Sequence, residues 1–358
     1  MQARSLYHNT LHCFPVGLTD ERQQLVHAEI SAVVYDGQRL ILGSDKPVPG
    51  AERSSVFAVD IDDQGRPQEE TLSYYTQPLI RQAIKYEDFA LTVDGRHVLA
   101  TTGFDRIQPD DDSLNDYNHL LIWPLGDPDR VQVVDPDPRD GVEGSLELRQ
   151  RLTAAIGMPY YKIEGLAAIP ADKGDGLLLF GVREQGQHFD DFNYVCRVVG
   201  AHYRINEQGQ LVFVDEMREH YAFDPGRFDA VKHLCGLSSL EYDHYNQQLY
   251  LLTSFENEQG GIDSIGGYLW RIDMADFTQG MAPALVENDT GEPLVFTHKA
   301  EGLAVLDHDR LFVVYDNDRE LALGDHDAER DQKYACEAPW TLLQMIPRAA
   351  GVNHGGQG

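Results

Sequence analysis

The sequence predicts an all-β fold: a five-bladed β-propeller of four-stranded blades, the last blade closed by the N-terminal strand. Three observations carry this. A short phrase recurs along the chain, each copy opens a block of apolar runs, and the last block lacks a strand that the N-terminus has to spare.

The phrase is plainest in Lys299-Ala300-Glu301-Gly302-Leu303-Ala304 and Lys162-Ile163-Glu164-Gly165-Leu166-Ala167. Lys85-Tyr86-Glu87-Asp88-Phe89-Ala90 repeats it with an aromatic for leucine, and Glu29-Ile30-Ser31-Ala32-Val33 and Gly236-Leu237-Ser238-Ser239-Leu240 repeat it with serine for glutamate. Successive copies, counted from Ser31 through Glu87, Glu164 and Ser238 to Glu301, lie 56, 77, 74 and 63 residues apart. Repetition at this scale marks a stack of like units that bury a shared core. The spacings exceed an ordinary blade of about 40–50 residues, so long loops must gather on one face, where such folds bind.

Within each block the motif strand is followed by a second run, as in Arg39–Ser44, His97–Thr102, Leu177–Gly181, Leu249–Thr253 and Leu311–Tyr315. Asp36-Gly37 and Asp94-Gly95 supply hairpin turns between the first two runs. A third run follows in every block (Val56–Asp60, His119–Trp123, Tyr194–Val198, Tyr268–Ile272, Trp340–Gln344) and a fourth in four of them, as in Val131–Val134 and Leu211–Val214. The fifth block stops at Pro347 without its fourth strand, and Leu6–Phe14 precedes the first block without one of its own. Pairing the two closes the ring and removes an exposed edge. Residues 1–348 are therefore expected to form one domain, with 349–358 a glycine-rich disordered tail. Leu146–Ile156 has helical spacing and is expected as a short helix outside the propeller body. The acidic insert Asp110-Asp111-Asp112 lacks the glycine and glutamate of a calcium loop and reads as a solvated charge run.

Net charge is −30, from 59 acidic against 29 basic residues, a field that repels nucleic acid and anionic membrane and leaves a small molecule as the expected ligand. Neither a run of eighteen apolar residues nor a charged-then-apolar leader is visible, so a cytoplasmic protein is expected. Cys13, Cys196, Cys235 and Cys336 are too scattered for a metal knuckle or disulfide framework and are expected to be reduced.

The motif strands are expected to line the channel. Lys85 and Glu87, Lys162 and Glu164, and Lys299 and Glu301 would project together, about 6.6 Å apart along the strand, with Ser31 and Ser238 at the level of the glutamates. Two carboxylates about 5 Å apart repel by about 3 kcal/mol at an effective dielectric near 20, so something must neutralise three of them. Either a hard divalent cation sits on Ser31, Glu87, Glu164, Ser238 and Glu301, for which all-oxygen donors suit Ca2+ better than Mg2+, or the lysines fold back into an ion-pair plug.

The order Glu29-x-Ser31, Lys85-x-Glu87, Lys162-x-Glu164, Gly236-x-Ser238, Lys299-x-Glu301 resembles the channel pattern of the calcium-activated nucleotidases, or apyrases. It is more weakly similar to phytase-like and SdiA-regulated bacterial propellers. The resemblance implies five blades, an axial calcium on the serine and glutamate positions, and a metal-dependent hydrolase of a small phosphorylated substrate. Leu6–Leu25 carries Asp20 and Glu21 but not the acidic N-terminal motif of that family. A calcium-dependent lactonase or esterase, and a propeller that only binds a ligand or protein, are the alternatives. Catalytic candidates are Arg183 as a phosphate clamp, Asp45, Asp316, and His298 as a general base, with Lys46, Asp105, Arg106, Glu184, Glu256 and Asn317 on the same rim and His27 and His233 ahead of other motif strands.

Overall fold

In a computed structural model, which describes residues 1–107, 112–136, 143–257, 264–323 and 330–347, the five blocks fold as five antiparallel sheets. Blade I comprises Ile30–Tyr35, Arg39–Ser44, Val56–Asp60 and Ser73–Tyr74, and blade II Tyr86–Leu91, His97–Thr102, Leu120–Pro124 and Gln132–Val133. Blade III runs Tyr160–Ile169, Gly176–His188, Asp191–Ile205 and Leu211–Phe213, with Arg218–Phe223 a second partner of its third strand. Blade IV has Gly236–Asp243, Gln248–Glu256, Ile265–Asp273 and Ala284–Leu285, with Val295–Phe296 added likewise. Blade V has Ala300–Val305, Arg310–Tyr315 and Glu337–Ile346, and Gln2–His12 pairs antiparallel with the last of these, as expected.

Alternation along the inner strands serves packing between blades. In blade I, Ala32 and Val34 join the cluster shared with blade II while Ile30 and Val33 join that shared with blade V. Blade III divides likewise, with Ile163 and Leu166 facing blade II and Ala167 and Ile169 facing blade IV. Five hydrophobic clusters fill the five interfaces. A propeller sheet therefore turns both faces to its neighbours, and its inner strand meets the channel edge-on.

The helix Leu146–Ile156 forms as expected and ends at Gly157 in the left-handed region (φ 75°). It docks rather than standing clear of the body, burying Leu148, Leu152 and Ile156 in the cluster between blades II and III. All four cysteines are buried free thiols. No helix among the described residues is long and apolar enough to cross a membrane. The expected tail at 349–358 and Asp110 and Asp111 lie outside the described residues, and Asp112 begins a 3-10 turn, Asp112–Tyr117.

Candidate functional site at the channel mouth

A β-bulge recurs at one position in all five inner strands. Cross-strand pairing steps from Ile30 to Ala32, Tyr86 to Asp88, Ile163 to Gly165, Leu237 to Ser239 and Ala300 to Gly302. The residues left without a partner are Ser31, Glu87, Glu164, Ser238 and Glu301. A bulged residue is released from strict alternation and its side chain re-aimed, which brings these five together at the axis although their neighbours face the blades. Each is at most 2% exposed.

The lysine two residues earlier meets the glutamate in every copy that has both. Lys162 Nζ bonds Glu164 Oε1 and lies 3.4 Å from Glu87 Oε1; Lys85 Nζ lies 3.6 Å from Glu87 and 2.6 Å from Asp105 Oδ2. Lys299 Nζ reaches Glu256 at 2.7 Å, Asp318 at 3.0 Å and Glu301 at 3.1 Å. Two copies lack the lysine, and each is served by a cation on or just beyond a second strand. Glu29 stands at that position in blade I and is met by Lys46 Nζ at 2.7 Å. Gly236 stands there in blade IV, and the buried Arg183 of blade III passes through the space, donating to Glu164 Oε2 at 3.0 Å and Glu256 Oε1 at 3.3 Å and also bonding Ser254 Oγ. Ser31 Oγ donates to Glu301 Oε2 (3.1 Å) and Ser238 Oγ to the Ala300 carbonyl (2.8 Å).

Above this layer opens a cavity of about 860 Å³ lined by Lys46, Lys85, Lys162, Lys299 and Arg106 among acids that include Asp45, Asp105, Glu184, Glu256, Asp316 and Asp318. Its blade III wall is aromatic. Tyr160, Phe192 and Tyr194 pack in series, with ring centroids 5.8 and 5.4 Å apart. The long hairpin of blade III carries Phe192 and Tyr194 beyond the other blades, and Tyr160 donates to Glu184 Oε2 at 2.6 Å.

Ten carboxylates (Glu29, Asp45, Glu87, Asp105, Glu164, Glu184, Glu256, Glu301, Asp316, Asp318) share the cations Lys46, Lys85, Lys162, Arg183 and Lys299. Even with Arg106, Arg149, Arg319 and Lys333 at its edge, the cluster holds more carboxylates than cations. Burial and mutual repulsion divide them. Burial, with the charges of Glu164 and Glu301, raises Glu87 to about 8, and burial likewise raises Asp45, Asp316 and Asp318. Glu256 is held at about 2 by Lys299 and Arg183 against the opposing effect of burial.

Three of these groups form a second cluster off the axis. Glu29, Asp45 and Asp316, each at most 7% exposed, bring one oxygen apiece within 4.8 Å of one another. The backbone sets them there, since Asp45 N donates to the Glu29 carbonyl and Asp316 N to the Lys299 carbonyl, while ring closure puts blade V beside blade I. Asp45 Oδ1 is buried without a hydrogen-bond partner among the described residues, while Lys46 Nζ, on a side chain 39% exposed, reaches Glu29 at 2.7 Å and Asp45 Oδ2 at 2.6 Å, and Arg319 Nε lies 3.4 Å from Glu29. Three converging carboxylates with an unsatisfied oxygen fit a hard divalent cation. At the axis Glu87, Glu164 and Glu301 are each met by a lysine or arginine, and Glu87 Oε1 and Glu301 Oε1 are likewise buried without a hydrogen bond among the described residues.

Of the expected catalytic residues, Asp45 and Asp316 line the cavity. Arg183 lies below its floor, engaged by carboxylates. His298 is buried against His8, with ring centroids 5.4 Å apart, and takes Asn317 Nδ2 at 2.8 Å; His233 stacks on Phe255. Neither histidine lines the cavity, and neither does His27 or Asn317. Lys46, Asp105, Arg106, Glu184 and Glu256 do. The aromatic wall and the role of Glu29 were not foreseen; the only advance signs were the acid at a lysine position and the density of aromatics in 189–194.

No family model and no curated protein matches the chain. Among solved structures it is similar to an aldose sugar dehydrogenase of Streptomyces coelicolor in its PQQ-bound form (12% identity, covering 96% of this chain and 98% of that one, TM-score 0.38). It is also similar to a glycosyl hydrolase of Bacteroides ovatus (13%, 88% and 84%, TM-score 0.40) and a β-fructofuranosidase of Bombyx mori (12%, 95% and 63%, TM-score 0.45). These likenesses carry no functional argument, and the blade count rests on the strand pairing.

Proposed function

We propose that the protein is a divalent-cation-dependent hydrolase of a small phosphorylated substrate, working in the mouth cavity, with calcium as the expected ion. One observation carries the reading: a carboxylate cluster suited to a cation and a set of ammonium groups suited to an anion open on the same cavity. Glu29, Asp45 and Asp316 would hold the ion, which when bound supplies a Lewis acid for a phosphoryl oxygen. Lys46, Lys85, Lys162 and Lys299 would bind and orient the phosphate, with the bound ion offsetting the carboxylates that outnumber these cations in a molecule of net charge −30. Tyr160, Phe192 and Tyr194 offer flat apolar surface to the rest of the substrate and keep water from that side. Lys85, in the left-handed region at φ 71° without being glycine, is the kind of strained backbone found at working sites.

The reading is tested by assaying the purified protein on p-nitrophenyl phosphate, nucleoside di- and triphosphates and lactones, with calcium and with chelator. Calcium-dependent phosphate release that falls about 100-fold or more in a folded Asp316→Asn is expected. Turnover of lactones alone would move the protein to the lactonase or esterase class. Cation-induced stabilisation without turnover would leave a binding propeller.

A further inference from the structure

We infer that the opposite mouth of the channel is a second ligand site, which takes a small organic monocation with an apolar body, an alkylammonium or arylalkylammonium, on the carboxylate of Glu241. The inference is independent of the chemistry proposed for the first mouth.

The repeat itself singles out Glu241. Three residues beyond each bulged position stand Val34, Ala90, Ala167, Glu241 and Ala304, four apolar residues and one acid. Val34, Ala90, Ala167 and Glu241 line a cavity of about 420 Å³ at this end of the inner strands, and neither lysine nor arginine lines it. Tyr35, Tyr242, Tyr245 and His244 stand around it.

Among the described residues the other nearby carboxylates are engaged. Asp36 accepts from the backbone of Gln38 and Arg39 and from Arg39 Nε; Asp94 from Thr92 Oγ1 and Arg96 N; Asp243 from Tyr245, Asn246 and Gln248. On blade V, Asp307 and Arg310 pair with each other at 2.6 Å. Glu241 has Val305 N on Oε1 at 3.2 Å, and Oε2 has no hydrogen bond among the described residues.

That arrangement selects its occupant. An anion meets only acids. One unengaged carboxylate is too few for a metal. A neutral apolar molecule would shut the carboxyl, protonated or ionised, away from water without a partner, at a cost. An ammonium satisfies it, and the alanine and valine side chains accept the alkyl body.

Burial, with the charge of Asp243, raises Glu241 to about 8. The carboxyl therefore holds its proton at neutral pH and must release it as the ammonium arrives. Affinity is then limited by the ionised fraction and rises about tenfold from pH 7 to pH 9.

The test is calorimetry with n-butylammonium and n-butanol, in two buffers of different ionisation heat, on the wild type, Glu241→Gln and His244→Gln. Glutamine keeps an acceptor for Val305 N, and the comparison of the two probes on the wild type needs no variant. Saturable butylammonium binding that releases close to one proton at pH 7, tightens about tenfold by pH 9, survives in His244→Gln and weakens tenfold or more in Glu241→Gln is expected. Equal binding of butanol, no saturation at tens of millimolar, an unaffected Glu241→Gln, or a pH response lost with His244 would each overturn the inference.

Discussion

Arg183 fills the volume that Gly236 leaves open: its Cγ lies 2.7 Å from where a Cβ on that glycine would stand, and its carbonyl oxygen 2.9 Å. The glycine is therefore the blade IV counterpart of the lysines at 85, 162 and 299, with the cation supplied from the neighbouring blade. Glu164 gains its second counter-ion by this substitution.

A methyl group at position 236 must displace the arginine stem. Gly236→Ala is expected to lower stability by about 1–3 kcal/mol in urea unfolding, the range for overpacking a filled core. Part of that cost should vanish in an Arg183→Ala background, because contacting residues are not additive. Full additivity would mean that the two do not share this space.

Asp88 ties three inner strands together beneath the ring. Its Oδ2 accepts from Leu166 N at 2.8 Å, Leu240 N at 3.2 Å and Ser239 Oγ at 3.2 Å, linking blade II to blades III and IV, while Oδ1 takes Phe89 N at 2.9 Å. Asparagine would turn an N–H2 toward N–H donors. Asp88→Asn is expected to cost about 2–4 kcal/mol, well above the roughly 1 kcal/mol of Ser239→Ala. Equal unfolding midpoints for the two variants would contradict the bridge.

The raised pKa of Glu241 has a signature without any ligand. Its value of about 8 when folded exceeds its ordinary 4.5, so folding takes up a proton between the two. The stabilisation is complete below about pH 4.5 and disappears as pH climbs through 8. Between pH 7 and 9 the melting temperature of the wild type should therefore fall more steeply than that of Glu241→Gln. Parallel curves would place the carboxyl in water.

The propeller was legible because each blade repeats a phrase and the last block lacks the fourth strand that the N-terminal segment supplies. The ring residues were legible for the same reason. What turns them to the axis was not, since a bulge changes pairing without changing composition, and plain alternation sends neighbouring residues to the flanking blades. The grouping of Glu29 and Asp45 with Asp316 depends on ring closure across some 270 residues, which no local pattern records. Arg183 is expected from the sequence as a phosphate clamp on the rim because nothing in its own segment reveals that Gly236 makes room for it below the floor. The blade III wall came from strands of 13 and 15 residues, longer than a blade needs.

The central claim is that a divalent cation sits on Glu29, Asp45 and Asp316 at the cavity. Anomalous diffraction from crystals soaked in Mn2+ tests it directly, Mn2+ being an oxygen-seeking stand-in for calcium. The account predicts one strong peak among those three carboxylates, lost in Asp45→Asn. A peak on the axis among Glu87, Glu164 and Glu301, or none at either place, would contradict it.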